Sequence, residues 1–149
     1  MRISSSIEVH SSPQTVFAWL SSPEKARQWM KNVAEGEILH ETAERVGTTF
    51  REVVEEEGGR IEMQGSITGF EQDRRISFHL ASKIHELDVD YRVEEIGTGI
   101  RVSVDSSIHW KFPVNILSLF MGAKMRSGIT DQLGKELEEL KKLCEAPGP

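Results

Sequence analysis

The sequence predicts an α+β domain in which a curved antiparallel sheet wraps around one long C-terminal helix. Apolar residues alternate with polar residues between Val33 and Trp110, which is the period of strands with one buried face. Glycine-containing turns separate these alternating stretches, and the period becomes helical after Pro113. Strands do not alternate with helices along the chain, so a parallel sheet is not expected.

The first 31 positions predict one strand and two short helices. The strand is expected over Ile3–His10, where apolar residues recur at every second position. Ser12-Pro13 and Ser22-Pro23 each combine a serine at the N-cap with a proline at the first helical position, a typical helix start. The second short helix is predicted to continue through Lys31.

Turn signals divide the middle of the chain into a strand meander. Gly58-Gly59 predicts a hairpin between Phe50–Glu57 and Arg60–Phe70, because both glycines tolerate positive φ. Further turns are expected at Gln72-Asp73-Arg74, Ser82-Lys83 and Gly97-Thr98-Gly99. Val53-Val54 interrupts the alternation of the first hairpin strand, which a bulge would explain. The acidic residues of Glu52–Glu57 and Glu86–Glu95 are assigned mainly to the solvated face of the sheet.

Val114 to Leu143 is predicted to form the terminal helix, with an apolar stripe at helical spacing. Its length of about 45 Å would carry it across the whole sheet. The stretch Val114–Met121 is apolar on nearly every side, which fits burial beneath loops, a homodimer contact or a gate for a ligand. Three glycines interrupt the helix, and either close approach to the sheet or room for a ligand would explain them: Gly122, Gly128 and Gly134.

Composition places the chain among ordinary globular proteins. Its 149 residues suggest one domain, expected over residues 1–145 with a frayed tail at 146–149. The net charge of −6 argues against partners such as nucleic acid or anionic membranes. A single cysteine excludes an intramolecular disulfide. Neither a signal peptide nor a long apolar segment is evident, so a soluble cytoplasmic protein without integral membrane association is expected.

Five local segments form a recognisable series along the chain: 7–17, Ser22-Pro23-Glu24 with Trp29, Gly47-Thr48-Thr49-Phe50, Gly69-Phe70 before Asp73–Ile76, and Leu133–Leu143. In this order they resemble the START-like superfamily, also called SRPBCC, and most closely its polyketide cyclase/dehydrase and lipid-transport group. The resemblance spans essentially the whole chain and implies the helix-grip fold with an apolar cavity between sheet and helix. The superfamily includes lipid and hormone carriers, aromatic cyclases and chaperone cofactors, so the fold alone does not decide the function.

A strongly bent sheet and one helix do not close completely on each other, and the remaining space is expected to form the ligand cavity. Taken singly, most of the apolar candidates are expected to belong to an ordinary packed core. The candidate ligand-binding residues are Phe17, Trp29, Met63, Phe78, Leu80, His85, Leu87, Tyr91, Val104, Ser106, Ile108, Trp110, Leu117, Phe120, Met121 and Met125. On the four best-phased strands the inward positions carry no charged residue, and their polar groups are only those of His85, Tyr91 and Ser106.

The sequence therefore favours a binding protein for a hydrophobic, lipid-like or aromatic small molecule. A cyclase/dehydrase-like enzyme and a protein-interaction module are the alternatives, and no catalytic residue is assigned. No cofactor is expected, since glycine-rich phosphate loops are missing. The five histidines show no metal-ligand spacing, so no metal is expected either.

Overall fold

The computed structural model describes residues 1–56 and 59–146. Within them, seven strands form one antiparallel sheet in the order β1-β7-β6-β5-β4-β3-β2. The elements are β1 (Arg2–Val9), α1 (Pro13–Leu20), a 3-10 helix (Pro23–Gln28), β2 (Val33–His40), β3 (Thr49–Glu56), β4 (Gly59–Glu71), β5 (Arg75–Ala81), β6 (His85–Ile96), β7 (Gly99–Trp110) and α2 (Val114–Glu145). This layout confirms the predicted α+β class and helix-grip fold.

A compact helical corner follows β1. The Ser12 hydroxyl caps α1 by accepting a hydrogen bond from the Thr15 backbone N–H at 3.1 Å, as the sequence predicts. The second helix is a 3-10 helix that ends at Gln28, before the expected end at Lys31. The corner packs closely on β2, because a Cβ added to Gly36 would lie 2.2 Å from the Pro23 carbonyl oxygen. Only glycine therefore fits at this point of β2.

The strand meander follows the predicted hairpins. Glu56 pairs with Gly59, so β3 and β4 form the first hairpin, while residue 57 of the predicted strand and residue 58 of the predicted turn lie outside the described residues. The bulge expected at Val53-Val54 is not in β3, which pairs with β4 without a register shift. A shift does lie opposite Val53-Val54, but it is on the neighbouring strand, between Val33 and Glu35 of β2. The phase of β3 therefore stays constant, and Phe50, Glu52 and Val54 share one face of the sheet.

The concave face of the sheet supplies most of the buried core. Phe50 is 1% exposed, and its ring lies directly over Gly65 of the neighbouring strand. A Cβ added to Gly65 would lie 2.4 Å from this ring. The absence of a side chain at Gly65 therefore leaves room for the Phe50 ring over the concave face of the sheet.

The C-terminal half of α2 is held against the sheet. Leu137 and Leu140 are almost fully buried. The Lys141 Nζ donates a hydrogen bond to the Glu8 carbonyl oxygen at 2.8 Å, and the Glu145 carboxylate accepts one from the His10 backbone N–H at 2.7 Å. These contacts fasten the last turns of α2 to β1.

The first two turns of α2 are not held in this way, whereas Arg126, further along the helix, donates a hydrogen bond to the Arg2 carbonyl oxygen at 2.6 Å. Leu119 and Phe120 are 82% and 83% exposed, so the expected burial of Val114–Met121 beneath loops is wrong. Met121 has non-helical backbone angles (φ −120°, ψ 16°) and marks a kink in the helix. The prediction that the whole helix covers the sheet therefore fails for its first two turns.

The three glycines of α2 do not mediate a close approach to the sheet. A Cβ added at Gly122, Gly128 or Gly134 would meet no atom within 4 Å. The close-contact explanation is thus wrong. Of the predicted tail, Ala146 is extended, and residues 147–149 lie outside the described residues.

Candidate ligand cavity

A cavity of about 260 Å³ lies between the concave face of the sheet, the helical corner and α2. Its size is close to the lower end of small-molecule pockets, which run to about 300–1,000 Å³. Most of its lining is apolar. The apolar lining residues outside the predicted set are Leu20, Pro23, Ala26, Met30, Val33, Phe50, Val54, Ile61, Ile84, Val89, Ile129 and Leu133.

The structure brings most of the predicted site residues together around this cavity. The strand positions were assigned from the period of two, and that pattern places them on the concave face. The predicted residues that line the cavity are Trp29, Met63, Phe78, Leu80, His85, Leu87, Tyr91, Ser106, Ile108 and Trp110.

Two predicted residues belong to solid core instead. Phe17 is 1% exposed, and its ring packs edge-on against Phe70 with centroids 5.5 Å apart. Val104 is likewise 1% exposed and does not line the cavity. Both point toward the apolar interior, but neighbouring side chains fill the space beside them.

The four candidates from the terminal helix are corrected by the structure. Leu117, Phe120 and Met121 are exposed, and Met125 is only partly buried outside the cavity. The part of α2 that reaches the cavity begins at Ile129, about one turn beyond Met125. Periodicity showed which residues share the apolar stripe, but not which turn of the helix lies over the sheet.

Two buried carboxyl groups line the cavity, and sequence reasoning missed both. Glu52 is 8% exposed, and within the described part of the chain its carboxyl has no hydrogen bond or ion pair. Glu136 is 7% exposed, and its Oε2 accepts hydrogen bonds from the Lys31 backbone N–H at 3.0 Å and from Gln132 Nε2 at 3.2 Å. The assignment of Glu52 to the wet face is therefore wrong. The signal was the alternation Phe50, Glu52, Val54, which the supposed bulge obscured.

Burial changes the acidity of both carboxyl groups. It raises the pKa of Glu52 to about 7, and the nearby Glu136 carboxyl adds to this rise. Burial also raises the pKa of Glu136 to about 7, although hydrogen bonds from Gln132 and the Lys31 N–H act in the opposite direction. Groups of this kind hold or release a proton near neutral pH, as acid–base catalysis and charge recognition both require.

Tyr91 stands in a row of aromatic rings along one wall. Its ring makes edge contacts with Trp29 and Phe78, at centroid distances of 6.0 Å and 6.3 Å. Burial, with the Glu136 and Glu52 carboxyls, raises the pKa of Tyr91 well above its ordinary value. The phenol therefore keeps its proton and can donate a hydrogen bond.

Two indole nitrogens are buried without a partner. Within the described residues, neither Trp29 Nε1 nor Trp110 Nε1 has a hydrogen-bond acceptor. Trp29 is only 3% exposed. A buried donor without an acceptor costs about 1–3 kcal/mol, so such groups are rare in a completed interior and common where a ligand or a water molecule supplies the acceptor.

His85 lies at the start of β6, just after the predicted turn at Ser82-Lys83, and lines the cavity. Its ring stacks on Trp110 with centroids 5.2 Å apart, and its Nδ1 lies 2.5 Å from the Ser82 Oγ. Ser82 Oγ also accepts hydrogen bonds from the Ile84 and His85 backbone N–H groups. The serine therefore shapes the turn between β5 and β6 and orients the imidazole.

Within the described residues, no group of three or more His, Cys, Asp or Glu side chains is arranged to hold a metal ion. In the same ranges, no helix has an apolar stretch of the length needed to span a bilayer.

Comparisons with solved structures find the same fold in several bacterial proteins. TTHA0849 from Thermus thermophilus has a TM-score of 0.82 at 14% identity, with 97% of each chain covered. A START superfamily protein from Mycobacterium smegmatis has a TM-score of 0.71 at 20% identity, covering 97% of this chain and 94% of the other. The di-domain ARO/CYC StfQ from the steffimycin biosynthetic pathway has a TM-score of 0.80 at 12% identity, covering 97% of this chain and 50% of the other. At these identities the likeness establishes the fold alone.

Comparison of the sequence with known protein families assigns the chain to one of them. Comparison with curated proteins finds no match. Comparison with protein families matches residues 1–145 to the family described as "Polyketide cyclase / dehydrase and lipid transport". This match, with the helix-grip fold, confirms the resemblance that the sequence suggested: the chain belongs to the polyketide cyclase/dehydrase and lipid transport family.

Proposed function

We propose that this protein binds an apolar small molecule in the cavity between the sheet and α2. The observation that carries this proposal is a mainly apolar cavity with two buried indole donors, Trp29 Nε1 and Trp110 Nε1, that lack acceptors in the described residues. An apolar ligand with an acceptor atom would remove water from the walls and satisfy a donor at the same time.

The expected affinity is moderate. Burial of about 300 Å² of apolar ligand surface contributes roughly 7 kcal/mol before the cost of association. This corresponds to binding in the low-micromolar range or weaker. Orientation would come from the polar groups of the wall, among them His85, Tyr91 and Ser106.

Native mass spectrometry of the purified protein, followed by solvent extraction, tests this proposal. We expect a reproducible apolar adduct, or uptake of an added bicyclic aromatic ligand with a 1:1 stoichiometry. Leu87→Trp should abolish uptake, because the larger side chain fills the cavity that Leu87 lines. A protein that takes up no ligand from a panel of apolar compounds would contradict the proposal.

A matched pair of tryptophan variants tests the indole donor. Trp29→Phe should weaken binding of an acceptor-bearing ligand severalfold, because it removes the unpaired N–H. The substitution also removes buried ring volume, so urea denaturation should confirm that the variant remains folded under the binding conditions. Trp19→Phe is the control, because Trp19 is partly buried outside the cavity and lies against Lys25. Equal effects of the two substitutions on affinity would argue against the donor's role.

Proton-transfer catalysis is the second candidate function. It is favoured by Glu52 and Glu136, whose pKa values near 7 allow one carboxyl to act as acid while the other acts as base. Deuterium exchange at the α-carbon of 2-tetralone in D2O, followed by NMR, would test it. An enzymatic rate that disappears in both Glu52→Gln and Glu136→Gln supports catalysis, and exchange at the buffer rate excludes it for this ketone.

The protein-interaction alternative and the homodimer both rest on one surface. Phe112, Leu119 and Phe120 are exposed at the start of α2, in the apolar stretch first noted in the sequence. An apolar patch of this kind is typical of contact surfaces. The contact through Val114–Met121 and a cytoplasmic location are retained as proposals.

A further inference from the structure

The two buried carboxyl groups suggest what kind of ligand the cavity accepts. Glu52 projects from β3 and Glu136 from α2, so they enter the cavity from different elements. Glu52 is more than nine-tenths buried, faces the cavity and has no hydrogen-bond or ion-pair partner among the described residues. An ionised carboxyl in an apolar space is costly unless a cation pairs with it, so such a group either keeps its proton or binds a positive charge.

The protein supplies little positive charge of its own to this space. The other titratable groups that line the cavity are Lys31, His85 and Tyr91. Lys31 is exposed, and its backbone N–H binds Glu136. Its ammonium forms no ion pair in the described part of the chain, and its charge lowers the pKa of Glu136 less than burial raises it. Tyr91 stays neutral, and the Nδ1 of His85 is engaged by Ser82. Two acids therefore face a cavity in which no buried, permanently charged side chain among the described residues balances them.

Aromatic rings complete this environment. Trp29, Tyr91, Phe78 and Phe50 follow one another in edge contacts with centroid distances between 5.5 Å and 6.3 Å. Each of these rings also lines the cavity. The faces of aromatic rings attract ammonium groups, and desolvated pairs of this kind are the stronger ones. Carboxyl groups together with aromatic walls match a cation better than an anion or a plain hydrocarbon.

We infer that the ligand of this cavity is an apolar amine that also carries an acceptor atom. Its ammonium group is held by Glu52 and Glu136 among the aromatic rings, its acceptor receives an indole N–H, and its hydrocarbon part fills the remaining space. This inference rests on the proposed function, because it names the class of molecule that the same cavity binds. The ammonium group of such a ligand would supply the positive charge that no buried side chain among the described residues provides. Because bound positive charge favours ionised carboxyls, binding should release protons near neutral pH.

Three probes with one carbon skeleton test the inference: 2-aminotetralin, 2-tetralone and tetralin-2-carboxylic acid. Titration would follow the fluorescence of the cavity tryptophans Trp29 and Trp110 at pH 5, 6, 7 and 8. At pH 8 we expect the amine to bind about tenfold or more tightly than the ketone, as one charged hydrogen bond provides. The carboxylic acid should bind most weakly. Amine affinity should fall as the pH drops from 8 to 5, while ketone affinity changes little.

Variants and calorimetry separate the inference from the proposed function. Glu52→Gln and Glu136→Gln should each reduce amine affinity about tenfold and leave ketone affinity within about threefold. The control is Glu138→Gln, on the exposed side of α2, which should change neither. Calorimetry of the unaltered protein near pH 7, in buffers of different ionisation enthalpy, should show proton release with the amine only, and this readout does not depend on any variant folding.

Each remaining outcome contradicts the inference. If the ketone or the acid binds as tightly as the amine, the cavity binds apolar molecules but does not select amines, and only the inference fails. If amine affinity is unaffected by both glutamine variants, the carboxyls are not the site. If none of the probes, nor any apolar compound, binds, the proposed function fails as well.

Discussion

The two halves of α2 are joined through the kink at Met121 and have opposite surroundings. Residues from Gln132 onward lie against β1 and line the cavity, and Leu140 is fully buried. Residues from Val114 to Met121 carry a larger share of apolar side chains, yet Leu119 and Phe120 are more than four-fifths exposed. Apolar content therefore did not decide which half is buried. The buried half is instead the one that packs on the sheet, with Leu137 and Leu140 in the core and Lys141 hydrogen-bonded to β1.

The largest difference between the halves should appear on truncation of leucine. Leu140→Ala removes a fully buried side chain and should lower the free energy of unfolding by about 2–5 kcal/mol. Leu119→Ala, the matched control, should change it by less than about 0.5 kcal/mol. Urea denaturation of both variants measures this. A large loss at Leu119 would mean that the first half of α2 is packed in solution.

The second prediction concerns the pH dependence of stability, through Glu136 in the packed half. Its pKa is about 7 in the folded protein and near 4.5 in the unfolded chain, so between these values the folded state holds more protons. This stabilisation is complete below about pH 4.5 and is lost as the pH rises through 7, by an amount on the order of 2–3 kcal/mol.

Glu136→Gln removes this dependence. Relative to the unaltered protein, the variant should therefore gain stability from pH 4.5 to pH 8, as measured by urea denaturation across that range. Glu138→Gln, on the exposed face of the same helix, should show no such gain. A constant difference between Glu136→Gln and the unaltered protein at all pH values would mean that the Glu136 carboxyl is solvated.

A smaller stabilisation should follow from replacing the glycines that lie outside close contacts. Gly128→Ala should raise the free energy of unfolding by up to about 1 kcal/mol, since an added Cβ meets no atom within 4 Å. Gly65→Ala is the contrasting variant and should destabilise, because the new Cβ would collide with the Phe50 ring. Thermal denaturation measures both, and uptake of the apolar amine should be unchanged in Gly128→Ala. Reduced uptake in that variant would support a hinge or gate at this glycine.

The smallest effect on unfolding is expected at the exposed apolar surface. Phe120→Glu should leave the free energy of unfolding within about 0.5 kcal/mol, because Phe120 is 83% exposed. If Val114–Met121 is the homodimer contact, the same substitution should convert a dimer to a monomer in sedimentation equilibrium. An unaltered protein that is monomeric at high concentration would remove the dimer proposal.

Strand periodicity predicted much of the cavity, because side chains on a strand alternate strictly between its two faces. Met63, Leu80 and Ile108 were assigned to the interior on this basis, and they line the cavity. Glu52 was missed because the alternation of side chains along β3 was misread. Val53-Val54 suggested a bulge in β3, whereas the register shifts lie between β2 and β3, so the phase of β3 could be known only from its pairing.

The sequence by itself determined the order of the elements, the α+β class and the inward face of the best-phased strands, because these follow from local periodicity and turn chemistry. Only the tertiary structure decided where α2 meets the sheet, and therefore that Ile129 and Glu136, and not Phe120 and Met125, reach the cavity. It also decided that two glutamates lie in an apolar space. Burial and acidity depend on contacts between residues far apart in the chain, such as the hydrogen bond from Lys31 to Glu136, and no local pattern specifies such contacts.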